Sequence, residues 1–190
     1  IELIKGNSDE RRKFIDLMIS QTDRVYLNHL SEYHKLLDQR NRQLKLFADH
    51  QHFDSIILES FNERMLAPCE YIHQKRQLVL NEIQAAFNQY YRSFQSGKEE
   101  VVLKYESALN SDSFETLLKS SLNKDLAIQR TSVGIHKDDI LFEINGYPLK
   151  KFGSQGQNKS FIIALKLAQY QFLAETVKQS PILLLDDIFE

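Results

Sequence analysis

Apolar residues recur at steps of three and four through the first half of the chain. Val25, Leu30, Tyr33, Leu37 and Leu44 fall on one face of a helix opened by Thr22 or Asp23. After a polar break at residues 49–52, Phe53, Ile56, Ile57, Phe61 and Met65 begin a second stripe. It continues through Ile72, Val79, Leu80, Ile83, Phe87, Tyr90 and Phe94. This period marks amphipathic helices, long enough here to pair as an antiparallel hairpin. Upstream, Asn7 and Glu10 have the spacing of a capping box ahead of a helix over residues 11–21. Pro68 is expected to kink or interrupt the long helix, because its ring clashes with the preceding turn.

The pattern turns mixed after Ser96-Gly97. Residues 101–105 alternate as a strand does, and residues 113–125 read as short helices. Residues 139–144 form a strand running into Asn145-Gly146, a dipeptide suited to a type I′ turn because both central positions need positive φ. Residues 147–149 then return. The chain closes with G-S-Q-G-Q-N-K-S from Gly153, a helical stretch over 161–177, Pro181, and the run Ile182-Leu183-Leu184-Leu185-Asp186-Asp187. The fold class expected is mixed α+β. A long antiparallel helical hairpin domain over 1–97 would be followed by a partial α/β lobe over 98–190.

Composition excludes more than it assigns. The net charge of the 190 residues is −2 with 26% charged, so no global basic excess points to nucleic acid. The basic candidates for a local DNA surface are Arg11, Arg12 and Lys13, the densest cluster, and Arg40, Arg42 and Lys45 in a polar helical run. A single cysteine, Cys69, forms no internal disulfide and suits a reducing compartment. No apolar run approaches a membrane span, and the expected location is the cytoplasm. The six histidines lack the spacing of a metal site.

The chemistry lies at the end of the chain. Gly153 to Ser160 is one residue away from the P-loop pattern G-x-x-x-x-G-K-[ST], with Asn158 in place of the last glycine. A P-loop follows a buried strand, and Tyr147-Pro148-Leu149-Lys150-Lys151-Phe152 is not one, so this reading is set aside. Without a phosphate cradle, the 190 residues alone are expected neither to bind ATP tightly nor to hydrolyse it. A continuous apolar strand ending in two carboxylates is what a parallel sheet covered on both faces requires, with ligands at its carboxyl end. A glycine turn opening a helix and then such a strand resembles the signature turn and Walker B strand of ABC- and SMC-type ATPases.

Five segments occur in order: I-K-G-x-x-x-E-R-R-K-F-I-D, Y-x-x-x-L-x-x-Y-x-x-x-L-x-x-R-N from Tyr26, R-T-x-V-G-x-H-K-D-D from Arg130, S-Q-G-Q from Ser154, and L-L-L-D-D-I-F. Together they resemble the RecF family of bacterial recombination-repair ATPases, over almost the whole chain but without that family's P-loop lobe. The family turn reads G-P-H-R-D-D. Here Ile135 stands for the proline and Lys137 for the arginine, so neither the ring's rigidity nor a bidentate guanidinium is present.

The resemblance implies an ATP-dependent homodimer in which each signature turn faces nucleotide held by the opposite subunit. Ser154, Gln155, Gly156 and Gln157 would contact the γ-phosphate. Asp186 would position Mg²⁺, and Asp187 would orient or deprotonate the attacking water. It also implies a slow DNA-dependent ATPase acting at junctions of single- and double-stranded DNA, together with recombination-mediator proteins. Two alternatives stay open from the residues: a helical protein- or DNA-interaction module with no ATPase role, and the head of another SMC-like ATPase.

Overall fold

The computed structural model describes residues 2–94, 99–177 and 181–183. Helix α1 (Glu2–Lys5) is followed by α2 (Ser8–Ser20), α3 (Arg24–His50) and α4 (Ser55–Phe94). Strand β1 (Val101–Glu106), α5 (Phe114–Ile128), β2 (Asp139–Ile144), β3 (Tyr147–Pro148), α6 (Leu149–Phe152) and α7 (Gln155–Val177) follow, with short 3₁₀ turns at Ala108–Asn110 and Ile135–Lys137. The sheet order is β1-β2-β3, with β2 and β3 antiparallel and Ile144 opposite Tyr147. The protein is a mixed α+β fold, mostly helical, as the sequence pattern implies.

The chain groups into two compact units that are each discontinuous in sequence. One comprises residues 1–6, 79–104 and 141–190, and the other 7–78 and 105–140. This grouping differs from a single cut near Gly97: residues on both sides of that point enter each unit.

In the second unit, side-chain oxygens cap two helices. Asn7 accepts the Glu10 amide at 3.3 Å and Asp23 accepts that of Tyr26 at 2.9 Å, each satisfying one otherwise orphaned donor. Helices α3 and α4 form the antiparallel hairpin: moving up α3 while moving down α4, His29 stacks on Tyr71 and Arg40 bonds Asn62. Phe47 then meets Phe53 just ahead of α4. The buried stripe of α3 is Tyr26, Tyr33, Leu36, Leu37, Leu44 and Phe47, so Val25, 52% exposed, lies off the face assigned to it from sequence. Ile56, 80% exposed, likewise leaves the stripe of α4, where Leu58 is buried in its place and Met65 is buried as the pattern implies.

Pro68 does not interrupt α4. Its ring removes one backbone bond, but Met65, Cys69 and Ile72 on either side are fully buried, and their packing outweighs that loss. At the other end of this unit Gly134 takes a φ of +112°. A β-carbon there would strike the Tyr33 hydroxyl and come within 2.8 Å of the Phe114 ring. Only glycine meets both conditions.

The first unit is built around Phe161 of α7, whose ring lies 4.7 Å from Phe87 and 5.1 Å from Phe142 between centroids. Asn145 and Gly146 adopt φ values of +50° and +77°, the pair a type I′ turn needs. Pro148 then ends β3, and Leu149, fully buried, starts α6 instead of extending the returning strand.

Candidate functional site

Ser154 and Gln157 cap α7 reciprocally. The Ser154 hydroxyl oxygen accepts the Gln157 amide at 3.2 Å, and the Gln157 side-chain oxygen accepts the Ser154 amide at 2.7 Å. S-Q-G-Q is thus a capping box, with serine at the cap and glutamine three residues on. Its polar groups are already sorted. The Gln157 amide is taken within the box, leaving those of Gln155 and Gly156 as first-turn donors without an intrahelical acceptor. The Ser154 hydroxyl accepts one bond and keeps its own hydrogen to donate. Gln157 is also held from outside the helix, its Nε2 donating to Glu99 at 2.7 Å.

Ser154, Gln155 and Gly156 are exposed, and a β-carbon on Gly156 would meet nothing within 4 Å. The turn presents two amides, a hydroxyl and the positive end of a 23-residue helix to an open approach. A cavity of about 410 Å³ adjoins it, lined by Lys5, Lys150, Gly153, Gln155 and Asn158. Of these, Lys5 and Lys150 are not singled out from sequence, and Asn158 only as the residue in place of a P-loop glycine. The signal available was only the Lys150-Lys151 pair ahead of Gly153 and the I-K-G segment. These groups suit an anion, and a phosphate in particular.

The same geometry settles the P-loop pattern over residues 153–160. Helix α6, not a buried strand, precedes Gly153, and the Asn158 amide donates to the Ser154 carbonyl at 2.9 Å. Amides committed to a helix cannot wrap a phosphate.

The carboxylates Asp186 and Asp187 lie outside the described residues. Of the apolar run before them only Ile182 and Leu183 are described, 88% and 39% exposed, and the rest of the expected strand lies outside the described residues. Among the described residues no group of three or more His, Cys, Asp or Glu is placed to hold a metal ion. No described helix is long and apolar enough to cross a membrane.

The six basic candidates separate sharply. Arg40 has no exposed surface. Its guanidinium bonds Asp125 at 2.8 Å, the Thr131 hydroxyl at 2.7 Å and Asn62 at 2.8 Å. It is removed from the DNA candidates, since a buried charge already paired with a carboxylate cannot reach a phosphate. Arg11, 9% exposed, grips Asp139 with two donors at 2.7 and 2.9 Å, and holds that carboxyl below its usual range despite the upward push of burial. Arg12 is tied to the Asp138 carbonyl and to Asp9. Both are therefore structural cations. Lys13 is exposed beside Glu10, and Arg42 and Lys45 are exposed on α3.

The R-T-x-V-G-x-H-K-D-D segment is where these buried charges converge. Arg76 clamps Asp16 at 2.9 Å through two donors, the Ile135 carbonyl at 2.8 Å and Asp138 at 3.2 Å. Tyr105 also donates to Asp138. The His136 Nε2–H donates to the Thr131 carbonyl at 3.1 Å, so its Nδ1 accepts from the Tyr33 hydroxyl at 2.9 Å. Burial pushes this imidazole down to about 4. The segment is thus a latch that fixes residues 129–138. Arg76 and Asp16, which hold it, lay in sequence as ordinary helical positions.

No protein-family model matches the chain. It is 48% identical over 189 residues to the DNA replication and repair protein RecF of Flavobacterium johnsoniae, covering all of this chain and 53% of that protein. The RecF of Cytophaga hutchinsonii is 43% identical, with 50% of its length covered. A solved structure described as the recombination mediator protein RecF with ATP in the RecFOR pathway superposes with a TM-score of 0.89 at 29% identity. That match covers 98% of this chain and 52% of the other. The chain spans about half the length of the curated relatives it matches. In sequence over its whole length, and in fold, the chain is similar to about half of a RecF protein.

Proposed function

We propose that this chain is the part of a RecF-like repair ATPase that closes over nucleotide held by a second copy, and so couples ATP to DNA binding. The observation that carries this reading is the capped, exposed turn at Ser154. A hydroxyl, two free amides and a helix N-terminus face outward beside two lysines, with no P-loop geometry among the described residues. A site built to receive a phosphate but not to cradle one suits contact across a dimer interface. The RecF–ATP complex named above supports ATP as the nucleotide.

In this reading the Ser154 hydroxyl donates to the terminal phosphate, and the Gln155 and Gly156 amides add two further bonds. Gln157, pinned to Glu99, holds the turn in register. Asp186 would hold Mg²⁺, and Asp187 would orient or deprotonate the attacking water. ATP, when bound, supplies the phosphoryl bond whose cleavage releases the dimer. DNA junctions, recombination-mediator partners and a cytoplasmic setting belong to the same proposal.

The test is light scattering on the whole protein with and without ATP. Ser154→Arg should abolish ATP-driven dimerisation while leaving the monomer's nucleotide affinity within about twofold, since the residue acts across the interface. Asp187→Asn should dimerise and stay dimeric. Normal dimerisation and turnover by both variants would show that the two motifs had been misassigned.

A further inference from the structure

The side-chain amide of Gln157 has two ends of nearly the same shape, and only one of them completes the cap at α7. The Ser154 amide needs an acceptor, so Oε1 must face it and Nε2 must face away. Nothing inside the four-residue turn selects that orientation. The selection comes from Glu99, whose carboxylate accepts and does not donate, and which takes Nε2 at 2.7 Å. A donor in its place would turn the amide over and set Nε2 against the Ser154 N–H.

Glu99 is itself firmly held. Its second oxygen accepts the Tyr91 hydroxyl at 2.7 Å. Tyr91 is 1% exposed, and its ring lies 6.3 Å from Phe161 and 6.4 Å from Phe87 between centroids, so the hydroxyl has little freedom to move. Burial, with the bond to Glu99, raises the Tyr91 pKa, which keeps that hydroxyl a donor. One residue on, Glu100 exchanges two bonds with Asn145: its amide donates to Oδ1 at 2.9 Å, and its carbonyl accepts the Asn145 amide at 2.8 Å. Gln84 of α4 then brackets β1, donating to the Val101 carbonyl at 3.1 Å and accepting the Leu103 amide at 2.8 Å. The cap side chains of Asn7 and Ser113, by contrast, are bonded among the described residues only to their own helices. The box at α7 carries a support that an ordinary cap does without.

We propose that Glu99, held by Tyr91, is a positioning residue for the turn at Ser154, fixing the Gln157 amide so that the Ser154 hydroxyl and the Gln155 and Gly156 amides stay outward. This rests on the reading of that turn as the surface that closes on a second copy, and it assigns the turn's order to a residue 58 positions before Gln157. Glu99 touches no ligand. Its contribution is preorganisation: the turn meets its partner already set, instead of being ordered at the moment of contact.

Amide hydrogen exchange of the ¹⁵N-labelled chain and ATP-driven dimerisation of the whole protein test this together. Glu99→Met removes the acceptor and keeps the bulk, so the Ser154 amide should exchange about tenfold faster. In the whole protein the same change should weaken ATP-driven dimerisation about tenfold, with the monomer's nucleotide affinity within about twofold of the parent. Glu99→Gln keeps an acceptor for Nε2 and offers the Tyr91 oxygen a donor, so both readouts should stay within about twofold of the parent. Tyr91→Phe should fall between Glu99→Met and the parent. A purely structural role would lower the urea midpoint of Glu99→Met and leave dimerisation of the folded protein unchanged. That result, or unaltered Ser154 exchange in Glu99→Met, would overturn the proposal, as would Glu99→Gln failing as badly as Glu99→Met. A parent protein that does not dimerise with ATP removes the dimer reading on its own; faster Ser154 exchange in Glu99→Met still supports Glu99 as the residue that orders the turn.

Discussion

Arg40 shows how much a single residue's environment outweighs its type. In sequence it sits in Gln39-Arg40-Asn41-Arg42-Gln43, a solvated helical face by every local sign. In the fold Arg40 is buried and Arg42 two residues on is exposed, because Asp125 and Thr131 reach α3 from 85 and 91 residues away. No local pattern announces partners at that distance. Arg40→Met should cost about 3–5 kcal/mol in urea unfolding, since it strands the Asp125 carboxylate in the core. Arg42→Gln should stay within about 0.5 kcal/mol of the parent.

His136 gives the residue scale its pH dependence. Burial lowers its folded pKa to about 4, with Lys137, Arg12 and His34 adding positive charge nearby. In the unfolded chain it titrates near 6.5. The unfolded state therefore binds more protons between these values, and stability falls as pH drops from about 6.5 towards 4. The loss is up to roughly 3 kcal/mol by linkage. Urea midpoints measured across that range should fall less steeply in His136→Gln; parallel profiles would place the titration elsewhere.

Helices, caps and turns were largely legible because each rests on neighbours within four residues. Asn7, Asp23, Ser113 and Ser154 act where cap chemistry puts them, and Asn145-Gly146 turns as its φ preference requires. Expectation and fold part where tertiary packing overrides local preference: α4 runs uninterrupted through Pro68, and Val25 and Ile56 face out. Pro68→Ala should restore one backbone bond in α4. The unfolded chain's gain in freedom offsets part of that, leaving a net stabilisation of about 1–2 kcal/mol readable as a raised Tm. At α7, Ser154→Ala should cost about 1 kcal/mol through the lost cap alone. Its effect on ATP-driven dimerisation should be much larger than that cost accounts for, and the difference measures the part of Ser154 that faces outward.

At the scale of the whole molecule, the candidate DNA surface is smaller than the sequence suggests. Arg11, Arg12 and Arg40 are committed to Asp139, Asp138 with Asp9, and Asp125, which leaves Arg42 and Lys45 on α3 and Lys13 beside Glu10. Few cations on one face release few counterions, and each phosphate contact contributes about −0.9 to the slope of log K against log salt. The 190-residue chain alone should therefore bind duplex DNA only in the non-specific range, roughly 10⁻⁴ to 10⁻⁶ M at physiological salt. Arg42→Gln/Lys45→Gln should reduce the magnitude of the salt slope by about 2 if both residues touch phosphate. An ATP-closed dimer doubles the cations available to one duplex, so in the whole protein the slope should steepen when ATP is added. Fluorescence anisotropy across a salt series reads all of these. Nanomolar, ATP-independent binding by the 190-residue chain would contradict the dimer clamp. It would place the DNA site on the helical hairpin itself, with Arg42 and Lys45 at its centre.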